Sequence, residues 1–383
     1  MDKIIYVLGA GASYNSLPIV AKSENRNSFG QYFIDTFNYL DLIIKSLEQN
    51  ENINDGLTRS LRSLHEQAKE IINIPEEYGT PDTYARTLKF KRDSDKLLDK
   101  YKKFFSIFFI LFQIYKVNKK LKGFIPIDKR YLTWLSYIIN DDSGEAQINE
   151  KVCIISWNYD NEIEKTIENY FTSYPSNNSK TNINDKLIIF IRNKYKIFSE
   201  FSQYYEPLRY DFEKNKGNPS VIKLNGSYST FKLYTERGAQ FEDIELLYQK
   251  NCLDFTEIMK QLNEKILPNL DSNRLETELG FGWESNNTYI DDIALSQMKL
   301  GKVLVIIGYS FPAYNRNLDK KLINNFMENV SESNIKTIHI QAEIASAKSI
   351  EQKLRGLIDS SKINLIDFQI QSDLSQFYIP IEL

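Results

Sequence analysis

VLVIIGYSF occupies positions 303–311, and its reading decides the fold. Five consecutive Val, Leu and Ile residues without alternation read as a strand buried on both faces, which the glycine at 308 ends. Leu318, Leu322, Ile323 and Phe326 then recur at helical spacing within 318–330. A second strand-like run, TIHIQ, follows at 337–341. The stretch 344–358 carries Ile350, Leu354, Leu357 and Ile358 in another helical pattern, and INLIDFQI at 363–370 reads as a third strand. Strand, helix, strand, helix, strand is the signature of a Rossmann-like, doubly wound α/β sheet with parallel strands.

Three similar runs lie earlier: IIYVL at 4–8, VCIIS at 152–156 and VIKL at 221–224, all free of proline. The first two are about 145 residues apart. Helical patterns at 32–50, 58–72 and 91–120 fill that gap, so the chain reads as a parallel-sheet domain at 1–29 and 146–383, with a large helical insertion at 30–145 after the first strand. Two polar, irregular stretches are expected at 173–219 and 228–302. Within the first, SYPSNNSKTNIND at 173–185 has the Ser, Asn, Pro and Asp content of a surface loop.

Composition narrows the class. The 383 residues are 42% hydrophobic and 26% charged, which fits a globular chain and excludes a disordered or fibrous one. Lys plus Arg number 48 against 51 Asp plus Glu, a net charge of -3, so direct nucleic-acid binding is not expected. Two cysteines, Cys153 and Cys252, supply neither a disulfide framework nor a four-cysteine zinc site, and point to a reducing, cytoplasmic compartment. The apolar run before Gly9 is too short for a signal-peptide core. The longest apolar run, FFSIFFILFQIY at 104–115, falls short of the roughly 18 residues a membrane span needs. It reads as a buried helix or a subunit interface; Lys102, Lys103, Lys116, Lys119 and Lys120 around it leave a basic-flanked interfacial helix as an alternative.

The chemistry gathers where strands end. Gly9-Ala10-Gly11-Ala12-Ser13 follows the first run; small residues let a backbone approach a pyrophosphate, and amides that open a helix bind anions. A tight structural turn would look the same. Ser156-Trp157-Asn158-Tyr159-Asp160 ends the second run, where Asn158 and Asp160 suit a ribose or an amide, or simply cap the helix that starts near Glu162. Lys223-Leu224-Asn225-Gly226-Ser227 and Gly308-Tyr309-Ser310-Phe311 end the third and fourth. Four such loops on one sheet edge describe a polar, glycine-lined cleft. No acidic residue follows a second strand some 20 residues on, which argues against an ordinary NAD dehydrogenase.

In order and spacing, GAGAS at 9–13, WNYD at 157–160, KLNGS at 223–227 and IIGYSF at 306–311 resemble the bacterial sirtuin-type (SIR2-like) NAD-consuming domains. TPDTYA at 80–85 looks like a further piece found in some prokaryotic members. The resemblance implies an NAD site and cleavage of the glycosidic bond between nicotinamide and ribose, through an oxocarbenium-like transition state. By analogy Gly9, Ala10, Gly11, Ala12 and Ser13 line the diphosphate and ribose. Asn158 and Asp160 face the nicotinamide ribose and carboxamide. Gly308, Tyr309 and Ser310 lie on the adenosine side, and Gly226 and Ser227 complete the third loop.

Two departures matter. The zinc module of deacylating sirtuins, with its two cysteine pairs, has no counterpart, which points away from protein deacylation and from zinc. The histidine expected before the glycine of the third motif is Asn225, and a neutral amide cannot take up a proton near pH 7 as imidazole does. The two histidines, His65 in a helical stretch and His339 in a strand, read as structural. Asn158, Asp160 and Asn225 are then the catalytic candidates, with Asp160 the remaining base. The resemblance implies an NAD glycohydrolase of antiphage defence (abortive infection by NAD depletion). It would be a homo-oligomer assembling through the helical insertion and its Phe-rich run, with no membrane contact, and would answer to a separate activating partner such as an ATPase or a nucleic-acid sensor. The alternatives are a weak or inactive NAD/ADP-ribose-binding sensor or scaffold, and an unrelated α/β nucleotide-binding protein, which a sheet order other than 3-2-1-4-5-6 would favour.

Overall fold

A computed structural model describes residues 2–383 except 20–27, 49–54, 70, 74–76, 79, 122–123, 126, 141–146, 173–186, 192–193, 199–202, 208–220, 237, 245–247, 250–251, 254 and 285–288. The loop expected at 173–185 lies outside the described residues.

Six parallel strands form the heart of the fold: β1 (Lys3–Leu8), β2 (Val152–Ser156), β3 (Val221–Lys223), β4 (Gly301–Ile307), β5 (Lys336–Gln341) and β6 (Ile366–Gln371). Their order across the sheet is β3-β2-β1-β4-β5-β6, the Rossmann-like order. Three strands extend the sheet beyond β3: Leu187–Ile191 runs parallel to it, and Lys194–Phe198 and Gln203–Pro207 continue antiparallel. Their presence corrects the irregular reading of 173–219; Leu187–Ile191 is as apolar as β1 but sits inside a polar stretch.

Helices cover both faces, and period-two alternation within each strand assigns the side chains. Ile5 and Val7 of β1, Cys153 and Ile155 of β2, Leu304 and Ile306 of β4, and Ile338 and Ile340 of β5 pack with α3 (Tyr289–Leu300), α4 (Arg316–Phe326) and α5 (Ile344–Arg355). On the other face Ile4, Tyr6 and Leu8, Val152 and Ile154, and Val303 and Val305 pack with α1 (Lys129–Ile138) and α2 (Glu162–Thr172). A strand lined on both sides needs apolar residues at every position, which is why these runs lack alternation. In β5, His339 and Gln341 break the apolar run, and the C-terminal segment meets them. Gln371 bonds His339 Nδ1 at 3.2 Å, and Tyr378 N donates to Gln341 Oε1 at 3.0 Å.

Two compact units divide the chain: residues 1–13, 127–226 and 280–383, and residues 14–126 and 227–279. The boundaries expected at 29/30 and 145/146 are thereby corrected. Residues 129–138 join the sheet unit because Tyr131, Trp134, Leu135 and Ile138 bury their side chains against Ile4, Tyr6 and Leu8. The irregular reading of 228–302 also gives way. It holds Thr230–Thr235, Gly238–Asp243 and Leu275–Thr277 in an antiparallel sheet, a helix at Phe255–Gln261, and α3.

Helices Phe29–Glu48, Asp55–Ala68, Pro81–Leu88 and Ser94–Asn118 build most of the second unit; the first, second and fourth lie within about four residues of the sequence-based limits, and the third has no counterpart among them. Phe104, Phe105, Phe108 and Phe112 are buried in its own core, with Phe33 and Phe108 ring centroids 4.8 Å apart. This corrects the expectation of an assembly surface at 104–115, because side chains that fill a core cannot also meet a partner. Thr80 caps the helix of the TPDTYA piece, accepting Thr83 N at 3.0 Å, and Pro81 occupies its first turn. That segment belongs to this second unit.

Candidate functional site

β1 and β4 are neighbours whose crossovers lead to opposite halves of the sheet, so the loops after them meet at the topological switch point. The two loops touch backbone to backbone. Gly9 N donates to Ile307 O at 3.0 Å, Gly11 N to Gly308 O at 2.9 Å, and Ala12 N turns back to Gly9 O at 2.8 Å. A Cβ on Gly9 would stand 2.6 Å from Gly308 O, one on Gly11 2.8 Å from Gly308 Cα, and one on Gly308 2.1 Å from Ala12 N. Gly308 also has φ of +63°. The glycines are therefore demanded by the contact between the loops, and three of the amides read as an anion cradle are engaged within the protein.

Ala10–Ser13 form one 3-10 turn, with no α-helix starting there. The condition for anion binding, amides that open a helix, is met here only by this short turn, after which the chain enters the second unit. Ala10 is exposed and Gly11 partly so, while Ala12 and Ser13 are buried. Ser310 is exposed. Tyr309 points inward: its hydroxyl donates to Asp319 at 2.9 Å and accepts from Asn315 Nδ2 at 2.9 Å, and its ring stacks on Trp157 with centroids 5.5 Å apart. Burial pushes the Asp319 carboxyl up to about 8. Phe311, next along, also takes a left-handed φ of +52°.

Asn158 and Asp160 follow β2 and Asn225 follows β3, each 6–7% exposed. Asn158 Nδ2 donates to Gly9 O at 2.9 Å and lies 3.4 Å from Ser13 Oγ, so its amide binds the second loop to the first. Asp160 accepts Glu162 N at 3.0 Å and a hydrogen bond from Ser13. The first contact caps α2, so the capping alternative holds for Asp160. Asn225 Nδ2 donates to Trp157 O at 2.6 Å, while its Oδ1 is buried without a donor among the described residues. A buried acceptor left unmatched costs about 1–3 kcal/mol, which a ligand hydroxyl or amide would recover. Gly226, with φ of +73°, turns the chain out of β3, and Ser227 begins the second unit.

Sequence reasoning missed a set of buried charges around Asp160. Among the described residues, Asp128, Asp160, Glu162 and Glu164 face Arg130, Lys165 and Lys223, four carboxylates against three cations, all buried. Lys223 Nζ donates to Asp160 O and to Glu164 Oε1, the latter at 2.6 Å. Burial, then Glu162, raises the Asp160 carboxyl to about 6, against the opposing pull of Lys223. Burial and the Asp160 charge push the Tyr131 phenol well above its ordinary range. Asp128 and Arg130 are detectable as a charged pair at a helix start, but only the fold brings them beside residues 12 and 160.

No group of three or more His, Cys, Asp or Glu among the described residues is arranged to hold a metal ion. Nor is any helix among them long and apolar enough to cross a membrane. Comparison with protein-family models finds no match, and comparison with curated proteins finds none.

Proposed function

We propose that the chain is an NAD glycohydrolase that cleaves NAD to nicotinamide and ADP-ribose. The observation that carries the reading is the gathering of Asn158, Asp160 and Asn225 with the Gly9 and Gly308 loops along one edge of four neighbouring strands, around a carboxylate that ionises near neutral pH. A carboxylate of pKa about 6 is mostly charged at pH 7, which suits it to offset positive charge developing at an anomeric carbon or to take a proton from attacking water. Asn158 holds the Gly9 loop and Asn225 offers an acceptor to a ribose hydroxyl or carboxamide. In a cell this activity would act in antiphage defence by depleting cytoplasmic NAD. It would be held silent by homo-oligomer assembly or by an activating partner such as an ATPase or nucleic-acid sensor.

A second reading, an NAD or ADP-ribose sensor without turnover, is favoured by Asn225: an amide at the general-base position, with its nitrogen committed to Trp157 O. Nicotinamide release by concentrated protein separates the two. The hydrolase reading expects release from wild type and a loss of about 10²-fold in Asn158→Ala, through displacement of the loop. Calorimetric NAD binding with no nicotinamide after hours would establish the sensor instead, and release from Asn225→His alone would identify a site disarmed by that residue.

A further inference from the structure

Within the Gly9–Ser13 turn, Ala12 N donates to Gly9 O at 2.8 Å, the i+3 to i bond of a 3-10 turn. Two consecutive side chains at the start of α1 hold its far end. Arg130 Nη2 donates to Ala12 O at 2.7 Å, and Tyr131 OH and Ser13 Oγ lie 3.0 Å apart. Arg130 is itself fixed from three sides. Its Nε reaches both Asp128 oxygens at 3.1 Å, its Nη2 reaches Asp128 Oδ2 at 2.5 Å, and its guanidinium lies 5.0 Å over the Phe377 ring. Asp128 Oδ1 also accepts Arg130 N at 3.0 Å, so the carboxylate that orients the guanidinium caps the helix bearing it. A lysine, with one charge centre and no planar fork, cannot serve Asp128 and Ala12 in this geometry.

We infer that Arg130 and Tyr131 are positioning residues that set the shape of the Gly9–Ser13 loop from α1 before any ligand arrives. Ser13 also bonds Asp160, so the loop, the helix and the carboxylate form one network. For turnover the inference rests on the NAD reading above; for the loop itself it does not.

Tyr131→Phe removes one oxygen from a buried ring, and Arg130→Lys keeps the charge while removing the fork. Hydrogen exchange in the free protein should quicken about fivefold to tenfold at the amides of Gly9, Gly11 and Ala12 in both variants, with β5 and β6 unchanged. Nicotinamide release should lose kcat about tenfold or more with a smaller change in KM, whereas a merely structural role would lower Tm and leave kcat per folded molecule intact. Tyr131→Phe should add nothing further in a Ser13→Ala background. Exchange at residues 9–12 within twofold of wild type in both variants would overturn the inference. If wild type neither binds nor cleaves NAD but the exchange rises as expected, the positioning stands and the hydrolase reading falls.

Discussion

Gly308→Ala tests why the loops at the switch point are glycine-rich. The added methyl carbon would sit 2.1 Å from Ala12 N, 2.3 Å from Gly11 C and 2.6 Å from Gly11 Cα, and all three are backbone atoms. No rotamer change relieves such a contact, so the loops must separate and give up the Gly11 N to Gly308 O bond. The left-handed backbone at φ of +63° adds about 1–2 kcal/mol for any residue with a Cβ. Overpacking adds about 1–3 kcal/mol. The sum, about 2–5 kcal/mol, corresponds to a fall in melting midpoint of about 10 °C for a unit of roughly two hundred residues. Differential scanning calorimetry without ligand is the assay.

Two glycines serve as controls. Gly238 has φ of +112° but no atom within 4 Å of the point where a Cβ would stand, so Gly238→Ala isolates backbone strain at about 1 kcal/mol. Gly356 ends α5 in a right-handed conformation with its nearest neighbour at 3.4 Å, so Gly356→Ala should stabilise by about 0.4–1 kcal/mol. A Gly308→Ala protein that melts with wild type, yet binds NAD more weakly, would refute the reasoning. It would return the glycine to the role of admitting a pyrophosphate.

Asp160 should leave a signature in stability against pH. Its folded pKa is raised to about 6 from 3.8, so its favourable contribution is complete below about 4 and is lost as pH rises through 6. Asp160→Asn should flatten the denaturation profile across that window and raise stability at pH 7 by about 2–3 kcal/mol. A profile of the same slope in both proteins would contradict it. Lys223→Met, by removing the cation that opposes the rise, should move the Asp160 transition to higher pH and destabilise by about 3–5 kcal/mol; a carboxylate-specific infrared titration reads the first effect. Phe108→Ala should cost about 3–5 kcal/mol in urea unfolding and leave the oligomeric state unchanged, since the ring lies wholly inside its own unit. A change in sedimentation without loss of stability would restore an interface role.

How far the sequence could be read depended on the range of the interactions. The strands at 4–8, 152–156 and 303–307 were legible because burial on both faces favours apolar residues at nearly every position. Leu187–Ile191, equally apolar, was hidden by its polar surroundings and by pairing with β3 from 32 positions away. The capping alternative for Asp160 was open to local reading, because a cap is a contact across two residues. The buried charges beside Asp160 were not, because Arg130 and Ala12 are 118 positions apart.

By itself, the sequence determined the class of sheet, the positions of the six parallel strands and the four loops on which polar and glycine residues gather. These follow from side-chain periodicity and from residue types that end strands. Only the tertiary structure decided that 129–138 belongs to the sheet unit, that FFSIFFILFQIY fills a core, and that Gly9, Gly11 and Gly308 are small because two backbones touch. It also decided that Asp160 is buried beside Glu162, and burial and this neighbour together raise its carboxyl to about 6 against the pull of Lys223. Each of these depends on which surfaces meet across long stretches of chain, and hydrophobic pattern specifies that a face will be buried without specifying its partner.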